Sequence, residues 1–278
     1  MSSIIWLFKQ EFLATTEIME VVSRESASYT TYFDSRKYLE SFYAAHLQTQ
    51  EVAKEITFVL SFLSKAFASG CIQGDNLIEI AAGPTIWHIL SACENFKNIY
   101  LTDYSQNNLN EIELWLNEDK HAFDWSPYIK QACELEGGRS TPEEKAKKIR
   151  EKVSFMKCDV TQANPLQPLS LPQVDCVIIA ACLICVASTL EEFKVYLKNT
   201  VSLLKPGGYL VMTEYLRASK YIVGDKIFSV LSVEENFIKK AMADCGCIVE
   251  ESQVFTICKS YGEDFDSEDV FCVKAKKM

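Results

Sequence analysis

The sequence is short of several features that define other classes of protein. It has 3 His, 7 Pro and 10 Gly in 278 residues, with no internal repeat and no low-complexity linker. Its 48% hydrophobic and 24% charged residues exclude wholesale disorder and fibrous repeats. The longest charge-free run, residues 176–190, is too short to cross a bilayer. No metal cluster and no Ser-His-acid set is visible, so we expect no metal and no hydrolase chemistry.

Charge and cysteine usage narrow the class of protein further. Against 38 acidic residues there are 28 Lys and Arg, giving a net charge of −10 without a basic run, which disfavours nucleic acid and anionic membranes as partners. The apolar N-terminus lacks a basic region and is interrupted by Lys9 and Glu11, so no signal peptide is expected. Eleven Cys, an odd number mostly in apolar runs, indicate a reducing, cytoplasmic compartment. For Cys182 and Cys185, packing is favoured over a redox or metal role.

Apolar periodicity predicts alternating strands and helices along most of the chain. An apolar helical stripe covers residues 49–69, and further helices are predicted over residues 86–93, 105–116, 190–204 and 232–245, with helix starts near residues 124 and 140. Strands are predicted over residues 76–81, 98–103, 153–159, 174–181, 209–214, 247–258 and 269–276. This alternation favours an α/β fold with a doubly wound, mostly parallel seven-stranded sheet. The uninterrupted apolar run at residues 174–181 implies burial on both faces of the sheet.

Small and acidic residues follow the first three predicted strands. Residues 79–85 form a small-residue turn around Gly83, and Asp103 ends the second strand twenty residues later. Asp159 and Val160 follow the third strand. Each signal alone fits tight packing or a helix cap, but together they favour an adenosine site, with Asp103 binding the ribose. The full Gly-x-Gly-x-x-Gly and Gly-Lys-Ser/Thr patterns are absent, which favours a nucleoside without phosphates, such as S-adenosylmethionine.

Eight segments resemble one family of enzymes. They are residues 34–43, 77–86, 90–96, 102–105, 123–127 (Phe-Asp-Trp-Ser-Pro), 133–137, 157–162 and 202–208. These segments are similar to the vertebrate nicotinamide, phenylethanolamine and indolethylamine N-methyltransferases from about residue 19 to the end, with the nicotinamide enzymes as the nearest branch. The resemblance implies a class I S-adenosylmethionine-dependent methyltransferase with a Rossmann-like fold and an N-terminal helical lid, acting as a monomer on a small-molecule acceptor. Residues 1–18 are interpreted as an N-terminal extension and residues 19–278 as the methyltransferase domain.

The resemblance also implies roles for individual residues. Tyr38 faces the transferred methyl group, Glu214 binds the acceptor, and Tyr221 and Val230 line the acceptor pocket. The remaining cofactor-binding positions are Tyr43, Ala81, Ala82, Gly83, Thr85, Trp87, Asp103, Tyr104, Asn108, Asp159, Val160 and Ala180. The implied acceptor is nicotinamide or a related pyridine. An indolethylamine or other arylalkylamine is the alternative, and a cofactor-binding protein that has lost turnover is the alternative of another class.

Five positions depart from the family's pattern. Glu79 and Ala81 stand where the family has Asp and Gly. If the family's glycine adopts a positive φ, an alanine at the same position is strained. Glu214 is longer than the usual Asp, while Ile184 and Val230 remove an acid and a serine from the acceptor side. An acidic loop (Asp264, Asp266, Glu268 and Asp269) is interpreted as a solvated turn. The alternative is that it provides a counter-charge for a cationic amine. His46, His88 and His121 are expected to be structural or exposed.

Overall fold

A computed structural model describes residues 19–22, 26–44, 50–257 and 264–278 of the chain. Its strands are β1 (Glu20–Val22), β2 (Gly74–Ile80), β3 (Phe96–Asp103), β4 (Val153–Lys157), β5 (Val174–Ala180), β6 (Leu204–Leu216), β7 (Lys220–Val223), β8 (Lys226–Ser229), β9 (Cys247–Thr256) and β10 (Asp269–Lys277). Its helices are α1 (Ser26–Tyr32), α2 (Ser35–Tyr43), α3 (Gln50–Ala68), α4 (Gln106–Leu116), α5 (Ser126–Leu135), α6 (Pro142–Lys152), α7 (Leu183–Val186), α8 (Leu190–Ser202) and α9 (Glu235–Asp244). The expected extension 1–18, His46 and Cys258 lie outside the described residues.

Seven strands form the main sheet in the order β4-β3-β2-β5-β6-β10-β9. The first five are parallel, and β10 runs antiparallel to both β6 and β9. The doubly wound, mostly parallel sheet of seven strands is therefore confirmed. Strand order reverses between β2 and β5, and in such sheets ligands bind beyond the carboxyl ends of the strands at this point.

Helices cover both faces of the main sheet. The apolar stripe of α3 packs with α4 and α5 in one buried cluster, while α8 and α9 pack in the other. In β5, Cys176 and Ile178 belong to the first cluster and Val177 and Ile179 to the second. Alternate residues of a strand point to opposite faces, so the predicted two-sided burial of this strand is confirmed.

The segment between β2 and β3 is wrongly predicted as one helix over residues 86–93. It forms two short 3-10 helices, Trp87–Ile89 and Ala92–Glu94. Residues 84–93 are all buried, so no exposed face is left to give an α-helical amphipathic pattern. Each turn closes on an i to i+3 bond, from Leu90 N–H to Trp87 and from Asn95 N–H to Ala92.

A small second sheet, which the sequence pattern did not predict, has the order β1-β8-β7. Strands β7 and β8 form an antiparallel hairpin around Gly224 and Asp225, with Gly224 at a φ of 61°. Buried contacts join this sheet to the α1–α2 region through Val22, Phe33, Val223 and Phe228. Helices α1 and α2 and this hairpin therefore form one packed unit over the site.

The described residues lack two features that would point to other kinds of protein. No helix within them is both long enough and apolar enough to cross a membrane. Nor do these residues include a group of three or more His, Cys, Asp or Glu side chains that could hold a metal ion.

Candidate active site

The turn after β2 exposes its backbone to a cavity at the carboxyl edge of the sheet. Ala81 has a φ of 52° and Gly83 a φ of 61°. A side chain added at Gly83 would meet no heavy atom within 4 Å, so this part of the backbone is open to a ligand. The requirement for a positive φ at position 81 is confirmed, and the alanine there adopts a conformation that L-residues rarely tolerate.

Asp103, at the end of β3, is the carboxylate that faces this turn. Its Oδ2 accepts a hydrogen bond from Gly83 N–H at 2.9 Å, and its Oδ1 accepts from Ser105 N–H at 2.8 Å and Asn108 Nδ2 at 3.0 Å. Burial raises the pKa of Asp103 to about 6, and these three hydrogen bonds oppose the rise. Asn108 is fixed in turn by the Ser35 hydroxyl, which donates to its Oδ1 at 2.6 Å.

Six aromatic residues form the wall opposite the main sheet, here called the aromatic roof: Tyr29, Phe33, Tyr38, Phe42, Tyr221 and Phe228. Tyr29 stacks on Phe33 with ring centroids 4.5 Å apart, and Phe33 meets Phe228 edge-on at 5.6 Å. Tyr221 stacks on Phe228 at 5.1 Å. The roof is contributed by α1, the residue after it, α2, β7 and β8, so the α1–α2 region and the hairpin jointly close the cavity.

Tyr38 and Tyr43 meet inside the cavity. Their hydroxyl oxygens lie 3.3 Å apart, and the Tyr43 ring lies 6.0 Å from Trp87. Burial raises the pKa of Tyr43 to about 12 and that of Tyr38 well above its usual value, so both hydroxyls stay protonated at neutral pH. Because one of these hydroxyls donates to the other, the pair has one proton left to donate to a ligand.

Twelve of the residues expected at the site line the cavity together: Tyr38, Tyr43, Ala81, Ala82, Gly83, Thr85, Trp87, Asp103, Tyr104, Ala180, Tyr221 and Val230. Asn108, Asp159, Val160 and Glu214 are not among the lining residues. Asn108 acts on the cavity through Asp103. Asp159 Oδ1 accepts from the backbone and hydroxyl of Thr161, and the carbonyl of Val160 accepts from Asn199.

Glu214, which was expected to bind the acceptor, is not among the residues that line the cavity. Thr213 and Tyr215 line the cavity, and alternation along β6 directs the residue between them to the opposite face. Its carboxyl accepts backbone hydrogen bonds from Tyr215 and Ile184, while Oε2 has no hydrogen-bond partner. Burial raises the pKa of Glu214 to about 8. A direct contact between Glu214 and the acceptor stays a prediction, because Glu214 is not among the residues that line the cavity.

Sequence reasoning missed several lining residues, of which His88 differs most from expectation. It is 7% exposed, lines the cavity and makes a 2.8 Å hydrogen bond through Nδ1 to Oε1 of Glu79. Tyr215 and Phe265, in edge-on contact at 4.6 Å, were also missed. For His88 the available signal was its position five residues after Gly83, close to the ligand-binding turn. His121 is exposed, as expected.

Two positions at which the sequence departs from the family's pattern, Ile184 and Val230, line the cavity and are almost fully buried. Cys182 and Cys185 also line it, and neither forms a disulfide. Burial raises the pKa of Cys182 well above its usual value, so this thiol is uncharged, which agrees with the packing interpretation of that residue.

The acidic loop is committed to other contacts. Asp266 accepts from the backbone and hydroxyl of Ser219, and Arg217 pairs with both Glu268 and Asp269. None of these three acids lines the cavity. The interpretation of the loop as a solvated turn agrees with the exposure of Asp264, Asp266 and Glu268, whereas Asp269 is buried beside Arg217.

Solved structures of low sequence identity share the fold. Magnesium protoporphyrin IX methyltransferase from Synechocystis PCC 6803 with bound SAM is 14% identical with a TM-score of 0.55, covering 90% of this chain and 94% of that one. The DhpI-SAH complex is 14% identical with a TM-score of 0.54, and the match covers 91% of this chain and 96% of that one. This chain therefore shares the fold of these two structures, with its cavity at the switch point of the sheet.

The family follows from sequence comparison. A profile of the NNMT/PNMT/TEMT family matches residues 21–278, and the chain belongs to that family. Human nicotinamide N-methyltransferase is 39% identical over 90% of this chain and 95% of its own length. Rabbit (Oryctolagus cuniculus) indolethylamine N-methyltransferase is 41% identical over 80% of this chain and 85% of its own length. Pig (Sus scrofa) phenylethanolamine N-methyltransferase is 34% identical over 81% of this chain and 81% of its own length.

The residues at the cavity fit S-adenosylmethionine, the cofactor of this family. The open backbone at Gly83 permits close approach, and the Asp103 carboxylate on the wall can accept hydrogen bonds from ribose hydroxyls. The chain is therefore an S-adenosylmethionine-dependent methyltransferase.

Proposed function

We propose that this enzyme methylates the unprotonated ring nitrogen of a pyridine-type acceptor, of which nicotinamide and quinoline are the acceptors to test first. The observation that carries the proposal is the chemistry of the cavity wall. Among the described residues, Asp103 is the one carboxylate that lines it, and it already accepts three hydrogen bonds. An acceptor that binds with its lone pair free needs no base on this wall.

The cofactor supplies a methyl group on a sulfonium, which departs as a neutral thioether. The residues of this chain then bind, align and exclude water. Asp103 accepts from the ribose, Ala81 to Thr85 lie against the methionine portion, and Tyr38 and Tyr43 close the cavity near the methyl group. Asp159 and Val160 bracket the adenine in this proposal. Trp87, Tyr104 and Ala180 complete the cofactor site.

The aromatic roof suits the product of this reaction. Methylation of a pyridine nitrogen gives a permanent cation, and the faces of Tyr and Phe rings attract cations. Tyr221 and Phe228 lie parallel at 5.1 Å and present aromatic surface to the cavity. Their contact with a flat heteroaromatic ring buries apolar area on both partners.

An arylalkylamine fits the wall less well. Such amines are mostly protonated at neutral pH, and the proton must leave before the nitrogen can attack. The carboxylates of the acidic loop pair with Ser219 and Arg217, and Glu214 lies behind the wall with a raised pKa. Ile184 stands where the family places an acid. These contacts leave an ammonium group without a counter-charge on the acceptor side of the described wall.

The same wall favours an apolar pyridine over nicotinamide. A carboxamide placed beside Val230 and Ile184 finds hydrocarbon at both positions. Leaving a buried amide without a partner costs about 1–3 kcal/mol. We therefore expect kcat/KM for quinoline to exceed that for nicotinamide by about tenfold.

The test is a specificity swap at position 230. Val230→Ser adds a hydroxyl to the wall, and we expect kcat/KM for nicotinamide to rise about tenfold relative to quinoline. Val233→Ser, at a buried position off the cavity, is the matched control and leaves the ratio unchanged. Steady-state kinetics with both acceptors measure the ratio. An unchanged ratio in Val230→Ser, or turnover of tryptamine and phenylethanolamine in preference to both pyridines, contradicts the proposal.

A further inference from the structure

His88 is the one basic side chain among the described residues that line the cavity. It belongs to the 3-10 helix Trp87–Ile89, directly after the turn that follows β2. Methyl transfer to a pyridine nitrogen requires no base, so the reaction itself needs no proton transfer by His88. Its place on the wall calls for another explanation.

Two contacts fix the orientation of the His88 ring. Nδ1 lies 2.8 Å from Oε1 of Glu79, and the ring packs on Trp87 with centroids 4.3 Å apart. Because Nδ1 is committed to Glu79, Nε2 is the ring nitrogen left for the cavity. When both ring nitrogens carry protons, Nδ1 donates to Glu79 and Nε2 donates to whatever occupies the cavity.

Glu79 can pair with such an imidazolium. Its side chain is fully buried, and its Oε2 has no hydrogen-bond partner. A buried carboxylate is stabilised by a hydrogen-bonded cation, and His88 is its hydrogen-bonded neighbour. The contact thus sets one ring nitrogen of His88 at the wall, with a carboxyl group behind the ring.

Strand order decides which part of the cofactor reaches His88. Along the sheet edge, β4 is followed by β3 and then β2. In the proposed orientation the adenine lies after β4, the ribose at Asp103 after β3, and the amino-acid end at the turn after β2. His88 follows that turn, so it meets the cofactor at the end that carries the α-carboxylate. The described wall offers this carboxylate no Lys or Arg.

We propose that His88 binds the α-carboxylate of the cofactor through Nε2 and that Glu79 positions the ring. This inference rests on the cofactor orientation given under Proposed function, and not on the identity of the acceptor. It makes the Glu79–His88 pair a specificity element for the amino-acid end of the cofactor.

Calorimetric binding of three ligands tests the proposal: S-adenosylhomocysteine, its decarboxylated counterpart S-adenosyl-3-thiopropylamine, and 5′-methylthioadenosine. We expect His88→Gln to weaken S-adenosylhomocysteine binding about tenfold, since the amide donates to the carboxylate without the positive charge that a doubly protonated His88 carries. Binding of the two ligands without a carboxylate changes less than about twofold. His121→Gln, exposed and off the cavity, is the matched control.

A second variant separates binding from folding. Glu79→Gln keeps a hydrogen-bond acceptor for Nδ1 but removes the charge, and it is expected to give the same selective loss. An equal loss for all three ligands, or no loss for any, overturns the proposal. No acceptor is present in the assay, so failure to methylate pyridines would end the proposed function and leave this result standing.

Discussion

At the scale of single residues, Ala81 is the clearest case of a side chain in an unfavourable backbone conformation. Its φ of 52° is one that glycine adopts freely and alanine does not. The left-handed conformation costs about 1–2 kcal/mol for a residue with a Cβ. This strained position lies in the turn whose backbone faces the cavity.

Ala81→Gly is therefore expected to stabilise the protein by about 1 kcal/mol, less the extra flexibility of glycine in the unfolded chain. Urea unfolding measures the change. Ala82→Gly, at the next position without a positive φ, is the control and should be neutral or destabilising. A destabilised Ala81→Gly would mean that the alanine methyl group contributes more by packing than the strain costs.

Glu214 shows how burial can hold a carboxyl group in its protonated form. Its pKa in the folded protein is about 8, above the ordinary value of 4.5 that the unfolded chain retains. The stability that the group contributes is present in full below pH 4.5 and is lost as the pH rises to about 8. Each unit of pKa shift corresponds to about 1.4 kcal/mol.

In the Glu214→Gln variant, we expect the free energy of unfolding to fall less between pH 4.5 and about 8 than it does in the parent. Above pH 8 the variant is expected to be more stable than the parent. Urea unfolding at several pH values measures this, with Glu113→Gln on the exposed face of α4 as the control. Parallel curves for variant and parent would contradict the expectation. An increased KM for the acceptor would show that Glu214 reaches the cavity after all.

At the scale of elements, the aromatic roof acts as one unit because its parts have little core of their own. Helices α1 and α2 and the β7–β8 hairpin share the buried cluster of Val22, Phe33, Val223 and Phe228. Phe33 is central, since it contacts Tyr29, Tyr38 and Phe228. Its loss should loosen the roof and leave the main sheet intact.

We expect Phe33→Ala to accelerate amide hydrogen exchange in residues 26–44 and 220–229 and to raise the acceptor KM about tenfold, while β2 and β5 stay protected. Phe58→Ala is the matched control, because Phe58 stacks on Phe255 at 5.2 Å away from the cavity. Faster exchange throughout the main sheet would show that the roof is part of the global folding unit.

The main-sheet elements were predictable where the signal is local. Strands such as β5 and helices such as α3 follow from apolar runs and helical stripes that burial in the sheet then confirms. The 3-10 turns after β2 were not predictable, since complete burial removes the amphipathic pattern. The β7–β8 hairpin has a Gly-Asp turn between apolar runs, a signal that was present but went unused.

For the site, spacing placed Asp103 at the end of β3 and Gly83 in the turn after β2, and both line the cavity. Tyr215 and Phe265 depend on how distant segments pack, and no local pattern reports that. Glu214 was expected on the wall by resemblance, whereas the alternation along β6 directs it away. Thus position after a strand predicted the cavity residues that follow β2 and β3, but it did not do so after β4, where Asp159 and Val160 are not among the lining residues.

At the scale of the whole molecule, we propose that residues 19–278 form a monomeric methyltransferase domain and that residues 1–18 are not needed for activity. The family profile matches residues 21–278. A chain that starts at Met19 should keep kcat/KM within about twofold and its unfolding midpoint unchanged. A large loss of activity in the shorter chain would show that the extension contributes to the site.

The central claim is that the cavity selects an acceptor nitrogen without a proton. A one-pot competition measures this most directly: the enzyme, S-adenosylmethionine and equal concentrations of quinoline, nicotinamide, tryptamine and phenylethanolamine, with methylated products quantified by mass spectrometry. Product ratios then equal ratios of kcat/KM. The account predicts N-methylquinolinium first, N-methylnicotinamide second and the methylated amines last. A methylated amine as the main product would contradict it.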